Sequence, residues 1–466
     1  MNNNKRVLTL ILSVTCILLL LSFFSNEIVV YFPNFKNVNL ISDILKKKNE
    51  LNITNPKAVV SSENPKDSPY FTFEDYTKKG TIIQFGADTL NPSLQKLSEK
   101  LLLLSQHKKT KIRIAWFGDS QIEGDFITQD LRKLLQNYFD TDNGVGFVPV
   151  VSISSDFRTT AKMEVNGAVQ IDNFKKTNGH ANLFLSGYSF YGNRLDINFS
   201  DNTQKNSTQI SEKWLLYGKG DSIAIKNNDT VYKKYPANSY FNRVLLNKSS
   251  SNKTKFELAS GNTPIYGVSS EPESGIVLDN FSFRGITGVE LKKLNVNLLD
   301  ELNKSGYYDL IVFQYGVNLM FRPNDTNYDY YYKVMNPVLK KMKQHMGNSE
   351  FLLFSCSDRA FNYNGEWKTA VGLDSLVYTQ AKLAQENKMP YYNFYKSIGG
   401  NGTVVKWADS SLVLANKDYI HFNFRGAKVA ANIIFKAIIN DYKKAEKKVK
   451  SPQKGANKSS KKNTQQ

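Results

Sequence analysis

Ser120, Asp418 and His421 are residue types that, brought together, could attack a carbonyl and move a proton. Ser120 closes Gly118-Asp119-Ser120, between an apolar run (111–117, KIRIAWF) and Phe126, Ile127, Leu131, Leu134 and Leu135 at helical spacing. A serine between a strand end and a helix start is expected to turn its N–H outward. Its hydroxyl would lie near the positive helix end, where a developing oxyanion is stabilised. Gly, Asp and Ser are also ordinary turn residues, so the tripeptide alone decides nothing. The segment Asp418-Tyr419-Ile420-His421 offers a base and its orienting group together. Three-residue spacing lets the carboxylate accept Nδ1–H and leaves Nε2 for the serine proton. Read alone, the same segment is a helix-entry cap beside a surface histidine.

Acyl chemistry at a serine also needs donors for the oxyanion. Gly316-Val317-Asn318 follows the run DLIVFQY (309–315), so Asn318 is placed to extend its amide across the strand ends. Gly285, in FRGITG after the apolar run 276–283, offers a second donor, with Gly288 close behind. Each glycine fits a tight turn equally well. The four pieces, in chain order at successive strand ends, carry more than any one of them.

That order resembles the SGNH (GDSL-type) hydrolase superfamily, over about 111–440 without a long internal segment. GDSQIEGDFITQDLRKLLQ, GVGFVP, LDNFSFRGITG and KDYIHFNFRGA look closer still to envelope proteins grouped with peptidoglycan O-acetylesterases and polysaccharide acetylation systems. The resemblance implies Ser120 as nucleophile and Asp418 and His421 as acid and base. It implies an oxyanion hole from Ser120, Gly285 and Asn318, with no metal and no organic cofactor. The implied fold is a three-layer α/β/α flavodoxin-like sheet, carrying a β-rich, carbohydrate-module-like insert between Ser120 and Gly285.

The elements that must position these residues read as α/β on either side of a β-rich stretch. A helix is expected over 91–105, with Asn91 as its N-cap and Leu94, Leu97, Leu101 and Leu104 on one face. DLIVFQY and EFLLFSC (350–356) read as buried parallel strands. Helices follow near 328–346, with Pro337 a break or kink, and near 373–387; then a strand at 391–395 and a helix from 425 to about 444. Between 161 and 273, short alternating segments (182–186, 194–199, 213–217, 221–226, 239–246, 255–258) read as a β-sandwich insertion. It lies between two site blocks, placed to grip a polymer, and offers Tyr188, Phe190, Tyr217, Tyr235 and Tyr240. Filling the sandwich core explains any one of these aromatics as well.

The expected organisation is therefore 1–25 cytoplasmic start and signal anchor, 26–85 stalk and lead-in, and 86–160 first hydrolase part. It continues with 161–273 insertion, 274–444 second hydrolase part and 445–466 Lys-rich tail. Lys5 and Arg6 precede eighteen uncharged residues, 7–24. At 1.5 Å per residue that helix spans about 27 Å, enough for a hydrocarbon core, and the flanking charge keeps the N-terminus inside. No A-x-A-like cleavage site follows, which favours an uncleaved anchor over a removed signal peptide. The residues before Cys16 fit a lipoprotein site poorly.

Composition removes other classes. The chain has 466 residues, 12% aromatic, so it is not wholly disordered. Two cysteines, Cys16 and Cys356, exclude a disulfide scaffold and a Cys-based zinc site, and four histidines argue against a His-rich metal centre. Of the net charge of +19, the last 26 residues hold nine Lys against Asp441 and Glu446. The rest is spread out beside no nucleic-acid motif, so nucleic acid is not an expected partner.

Other candidates are weaker. Asp119 and Glu123 lie too close in sequence for a glycosidase pair. Asp358-Arg359 reads as a local ion pair more readily than a substrate contact, and Cys356 as a core residue. Tyr328, Tyr330, Tyr331 and Tyr332 could stack on sugars or pack a helix. The expected function is a membrane-anchored serine esterase, outside the cytoplasmic membrane, removing O-acetyl groups from an envelope polysaccharide or peptidoglycan. The alternatives are an O-acetyltransferase with the same triad and a catalytically silent glycan-binding protein.

Overall fold

A computed structural model describes residues 68–450 except 177–181, 205–207 and 228–230, together with Val7, Thr9, Ser13 and Val14. Most of the expected membrane helix (7–24), most of the stalk and the tail beyond 450 lie outside the described residues. Among those described, no helix is long and apolar enough to cross a membrane. The chain divides into two compact units, 67–362 with 367–466, and 1–66 with 363–366. Of the second unit, the four N-terminal residues are helical and 363–366 run from the end of one strand to the start of the next.

In chain order the elements begin with β1 Ile82–Ile83, α1 Gln95–Ser105, β2 Lys111–Gly118 and α2 Thr128–Tyr138. The β-rich part contains β3 Gly146–Pro149, β4 Ala161–Asn166, β5 Gln170–Asn173, β6 Tyr188–Tyr191, β7 Leu195–Asp201 and β8 Ser211–Tyr217. It continues through β9 Ser222–Lys226, β10 Lys233–Pro236, β11 Asn242–Ser249, β12 Lys253–Ala259 and β13 Ile265–Pro272. Then follow β14 Gly275–Ser282, α3 Val296–Lys304, β15 Leu310–Gln314, α4 Asp329–His345, β16 Glu350–Phe354, β17 Ala360–Tyr363 and β18 Glu366–Thr369. The last are α5 Leu373–Glu386, β19 Tyr391–Tyr392, α6 Phe394–Ile398, α7 Thr403–Asp409 and α8 Phe424–Lys450.

The central sheet runs β1-β19-β16-β15-β2-β14, parallel throughout except for β1. Numbered along the chain, its five parallel strands lie in the order 2-1-3-4-5, that of flavodoxin. Strand direction of growth reverses between β2 and β15, which pair directly with Gly118 opposite Gln314. A crevice opens beyond the carboxyl ends at such a reversal. The residues that follow β2 and β15 are therefore delivered to one place.

Alternation along β2 feeds two cores. Ile112, Ile114 and Trp116 pack with α1, α2 and α8, while Ala115 and Phe117 join α3, α4 and α5 on the other face. The second core is continuous with the insertion: Phe147 lies 5.5 Å from Phe281 and 4.9 Å from Phe184. Arg113, on that face, pairs with Glu271 of β13, whose side chain is wholly buried and also held by Arg243 and Lys111. The insertion is two sheets, β10-β9-β12-β7-β4 and β11-β8-β13-β6-β5, with β3 added beside β13. The sandwich thus takes a strand from before residue 161. Tyr188, Phe190 and Tyr217 are 7%, 0% and 3% exposed, so these three fill its core and cannot grip a polymer.

Other expectations are corrected. Asn91 does not cap α1: the Asp441 carboxylate accepts from Ser93 and Leu94, and Glu350 from Lys96 and Leu97. Lead-in residues belong to the fold, since Ile82 and Ile83 are buried in β1. α4 continues through Pro337; burial of Tyr331, Met335, Leu339 and Met342 outweighs the roughly 3 kcal/mol that an interior proline costs. The strand expected at 391–395 is two residues long before α6 begins, 182–186 is not a strand, and α8 continues past 444 to Lys450.

Candidate active site

β2 ends at Gly118, where a side chain would collide with Ile122 Cδ1 at 2.8 Å and the Gln314 carbonyl at 3.1 Å. Asp119 is buried and accepts the Gln121 N–H at 3.0 Å. Burial pushes its carboxyl up to about 6, against the pull of that N–H and of His421. Ser120 then opens a 3-10 turn, Ser120–Asp125, broken at Glu123 and Gly124, and α2 starts only at Thr128. No α-helix N-terminus stands behind the serine, contrary to expectation. The reason is Asp125, which takes two hydrogen bonds from Arg132 at 2.8 and 2.9 Å and others from Thr128 and Thr160. Asp125 and Ile127 adopt left-handed backbone conformations (φ 70° and 63°), which a continuous helix forbids.

Ser120 Oγ lies 2.7 Å from His421 Nε2, and His421 Nδ1 lies 2.7 Å from Asp418 Oδ2. The other Asp418 oxygen accepts from the Ile420 and His421 N–H groups at 2.9 and 3.0 Å. Burial raises the Asp418 carboxyl, but these hydrogen bonds prevail and hold it at about 2. The loop is tied shut by Asn416 N–H donating to the His421 carbonyl at 2.8 Å, with Tyr419 in a left-handed conformation (φ 54°). Gln121, next to the serine, donates to the Ile420 carbonyl at 2.6 Å and to Ser357 at 3.1 Å, joining the serine turn to the histidine loop.

Asn318 sits in a 3-10 turn, Val317–Leu319, immediately after β15. Its Nδ2 donates to the Ile286 carbonyl at 2.9 Å and keeps a second N–H. That bond brings Asn318 beside Gly285, which is exposed and left-handed at φ 72°. Gly288 instead is buried against Tyr315 and Met335, so Gly285 is the exposed one of the two glycines. Arg284 is anchored by the buried Glu123, with Nε donating at 2.8 Å, which links the Gly285 turn to the serine turn.

The structure thus brings Ser120, His421, Asp418, Asn318 and Gly285 to the carboxyl ends of the central sheet. Gln121, Glu123 with Arg284, and Arg359 are companions that motif reading missed or misread; their only sequence signal is adjacency to the motifs. Asp358 and Arg359 turn to separate partners. Asp358 accepts from Val404 N–H and the Thr369 hydroxyl, while Arg359 Nη1 donates to the Val317 carbonyl. Cys356 is a buried free thiol whose pKa burial drives upward, as suits a core residue. Tyr331 and Tyr328 are buried and Tyr330 is 76% exposed. Among the described residues no cluster of His, Cys, Asp and Glu could hold a metal ion.

The chain superposes on the solved structure of a peptidoglycan O-acetylesterase with a TM-score of 0.61 and 18% identity, covering 76% of this chain and 98% of that one. The two chains share one fold. An acetyl xylan esterase from Geobacillus stearothermophilus gives a TM-score of 0.27 and 15% identity over 36% of this chain and 74% of its own. A lipase/acylhydrolase from Enterococcus faecalis gives 0.26 and 14% over 35% and 76%. No family model and no curated protein matches the sequence.

Proposed function

We propose that this protein is a serine esterase that removes O-acetyl groups from a cell-envelope polysaccharide or peptidoglycan. It would be held on the outer side of the cytoplasmic membrane by the apolar segment 7–24. The observation that carries this reading is the unbroken relay from Ser120 through His421 to Asp418, at 2.7 Å for each step. Ser120 Oγ attacks the acetyl carbonyl while Nε2 of His421 takes its proton; Asp418 orients the ring and stabilises its charged form. The Ser120 and Gly285 N–H groups and the free Asn318 N–H hold the oxyanion. The sugar hydroxyl leaves with the proton from His421, and a water, deprotonated by the same nitrogen, releases acetate.

Two features favour a polymer and hydrolysis. The His421 and Asp418 side chains are 32% and 44% exposed, so the relay lies at an open surface where a chain can pass and water can enter. The likeness to a peptidoglycan O-acetylesterase supports the glycan class. The test offers the folded protein an aryl acetate and an acetylated glycan, with and without an acceptor sugar. Acetate should be released from both, undiminished by the acceptor, and Ser120→Ala should lose about 10⁴-fold or more. Acetyl appearing on the acceptor would make the protein a transferase. Normal turnover by Ser120→Ala would end the serine mechanism.

A further inference from the structure

Val317 is 2% exposed, and its carbonyl belongs to a three-residue turn too short to satisfy it internally. The partner it finds is Arg359, whose Nη1 donates at 2.6 Å. Arg359 is itself fixed at both ends. Its own carbonyl accepts from Ala370 N–H at 2.8 Å, and its neighbour Asp358 is anchored to Val404 and Thr369. The guanidinium lies 4.6 Å from the Phe361 ring centroid, a face that holds a planar cation well. Its Nε is buried without a hydrogen-bond partner among the described residues. Burial lowers the pKa of this group, and the nearby Asp418 carboxylate opposes that shift. One side chain therefore spans from the turn carrying Asn318 toward the loop carrying Asp418.

The geometry points to Arg359 as a positioning residue for the oxyanion-holding amide of Asn318, acting through the Val317 carbonyl. The inference rests on the esterase reading above. With Val317–Asn318 pinned from behind by Arg359 and in front by the bond to Ile286, the second N–H of Asn318 has one direction left. An oxyanion donor is useful only if it is aimed before charge develops. Without Arg359 the turn would rock about Gly316, whose backbone (φ 145°) few other residues adopt.

The test is a double-mutant cycle on aryl acetate hydrolysis, with Arg359→Leu, Asn318→Ala and the pair. Arg359→Leu should lower kcat by about 10- to 100-fold with KM changed less than about threefold, the mark of an interaction made only in the transition state. The pair should be no slower than Asn318→Ala alone, since a mispositioned amide that has been deleted cannot be lost twice. Arg359→Lys, which can still reach the carbonyl, should recover most of kcat. Should Arg359→Leu fail to fold, Arg359→Gln, which is polar but too short to reach the Val317 carbonyl, combined with Asn318→Ala carries the same comparison. Losses that multiply in the pair, or a loss confined to KM, would overturn the assignment. Full activity in Asn318→Ala would instead remove the oxyanion role itself, a failure of the underlying reading rather than of Arg359.

Discussion

Gly316 leaves no room between itself and Cys356: a β-carbon built on it would lie 2.3 Å from Cys356 Cβ. Its φ of 145° is also one that residues with side chains avoid. Two residues later comes Asn318. Gly316→Ala must therefore push the turn away from the Cys356 side chain, and both stability and the oxyanion amide suffer together. We expect a loss of about 1–3 kcal/mol in chemical denaturation, with kcat falling in step. Gly316→Ala with Cys356→Gly should regain part of the lost kcat, because the collision is between those two side chains.

Asp418 should be needed for rate and not for binding. Its carboxylate orients the His421 ring and accepts two backbone N–H groups. Asp418→Asn keeps the shape but can present an amide to Nδ1 and so favour the wrong tautomer. The expected loss is about 10²- to 10⁴-fold in kcat with KM near normal. Because the native carboxyl is held at about 2, it stays ionised at any pH where the protein works. An acid limb in the wild-type rate profile above pH 4 cannot come from Asp418; finding one that Asp418→Asn abolishes would contradict this.

Glu271 should matter for stability and not for chemistry. It is wholly buried among Arg113, Arg243 and Lys111, which hold its carboxyl far below the usual range. Glu271→Gln leaves those cations without their counter-charge in a dry place. A cost of about 3–5 kcal/mol is expected, with kcat of the surviving folded protein unchanged. A midpoint in urea within error of wild type would show that the cluster is wetter than its burial indicates.

Asp358 should give stability the opposite pH dependence. Burial raises its carboxyl to about 6, well above the ordinary carboxylate range, despite bonds from Val404 and Thr369. The folded protein therefore binds this proton more tightly than the unfolded chain. Its contribution is complete below about pH 4 and is lost as pH rises through about 6. Asp358→Asn should flatten the fall in Tm between those limits relative to wild type. An unchanged slope would mean that the carboxyl is ionised throughout.

Much of this arrangement is legible in the chain, for a physical reason. A buried parallel strand must be apolar on both faces, so KIRIAWF, DLIVFQY and EFLLFSC stand out, and the polar residues that follow each run lie at the sheet's carboxyl edge. What stays hidden depends on partners far along the chain. The turn after Ser120 looks helical until Arg132 and Thr160 claim Asp125. The start of α1 looks capped by Asn91 until Glu350 and Asp441 arrive from other elements. Tyr188 reads as a sugar platform or as core with equal ease, because alternation says which residues share a face but not which face is wet; here it stacks on Phe283 at 4.9 Å. Arg359 is misread because its sequence neighbour carries the opposite charge while its true partner is a carbonyl 42 positions back.

The pairing of Arg113 with Glu271 also bears on how such a chain could have acquired its sandwich. Arg113 lies on the inner strand of the α/β sheet and Glu271 on the inserted one, each nearly or wholly shut from water. Once both are present, neither half is discarded without cost: excising the sandwich would strand a guanidinium in a dry place, and restoring a neutral residue at 113 would leave the carboxylate to the more exposed Arg243 and Lys111. An ancestor or descendant lacking the insertion should carry an uncharged residue at position 113, and grafting this sandwich onto such a sheet should require the arginine to travel with it.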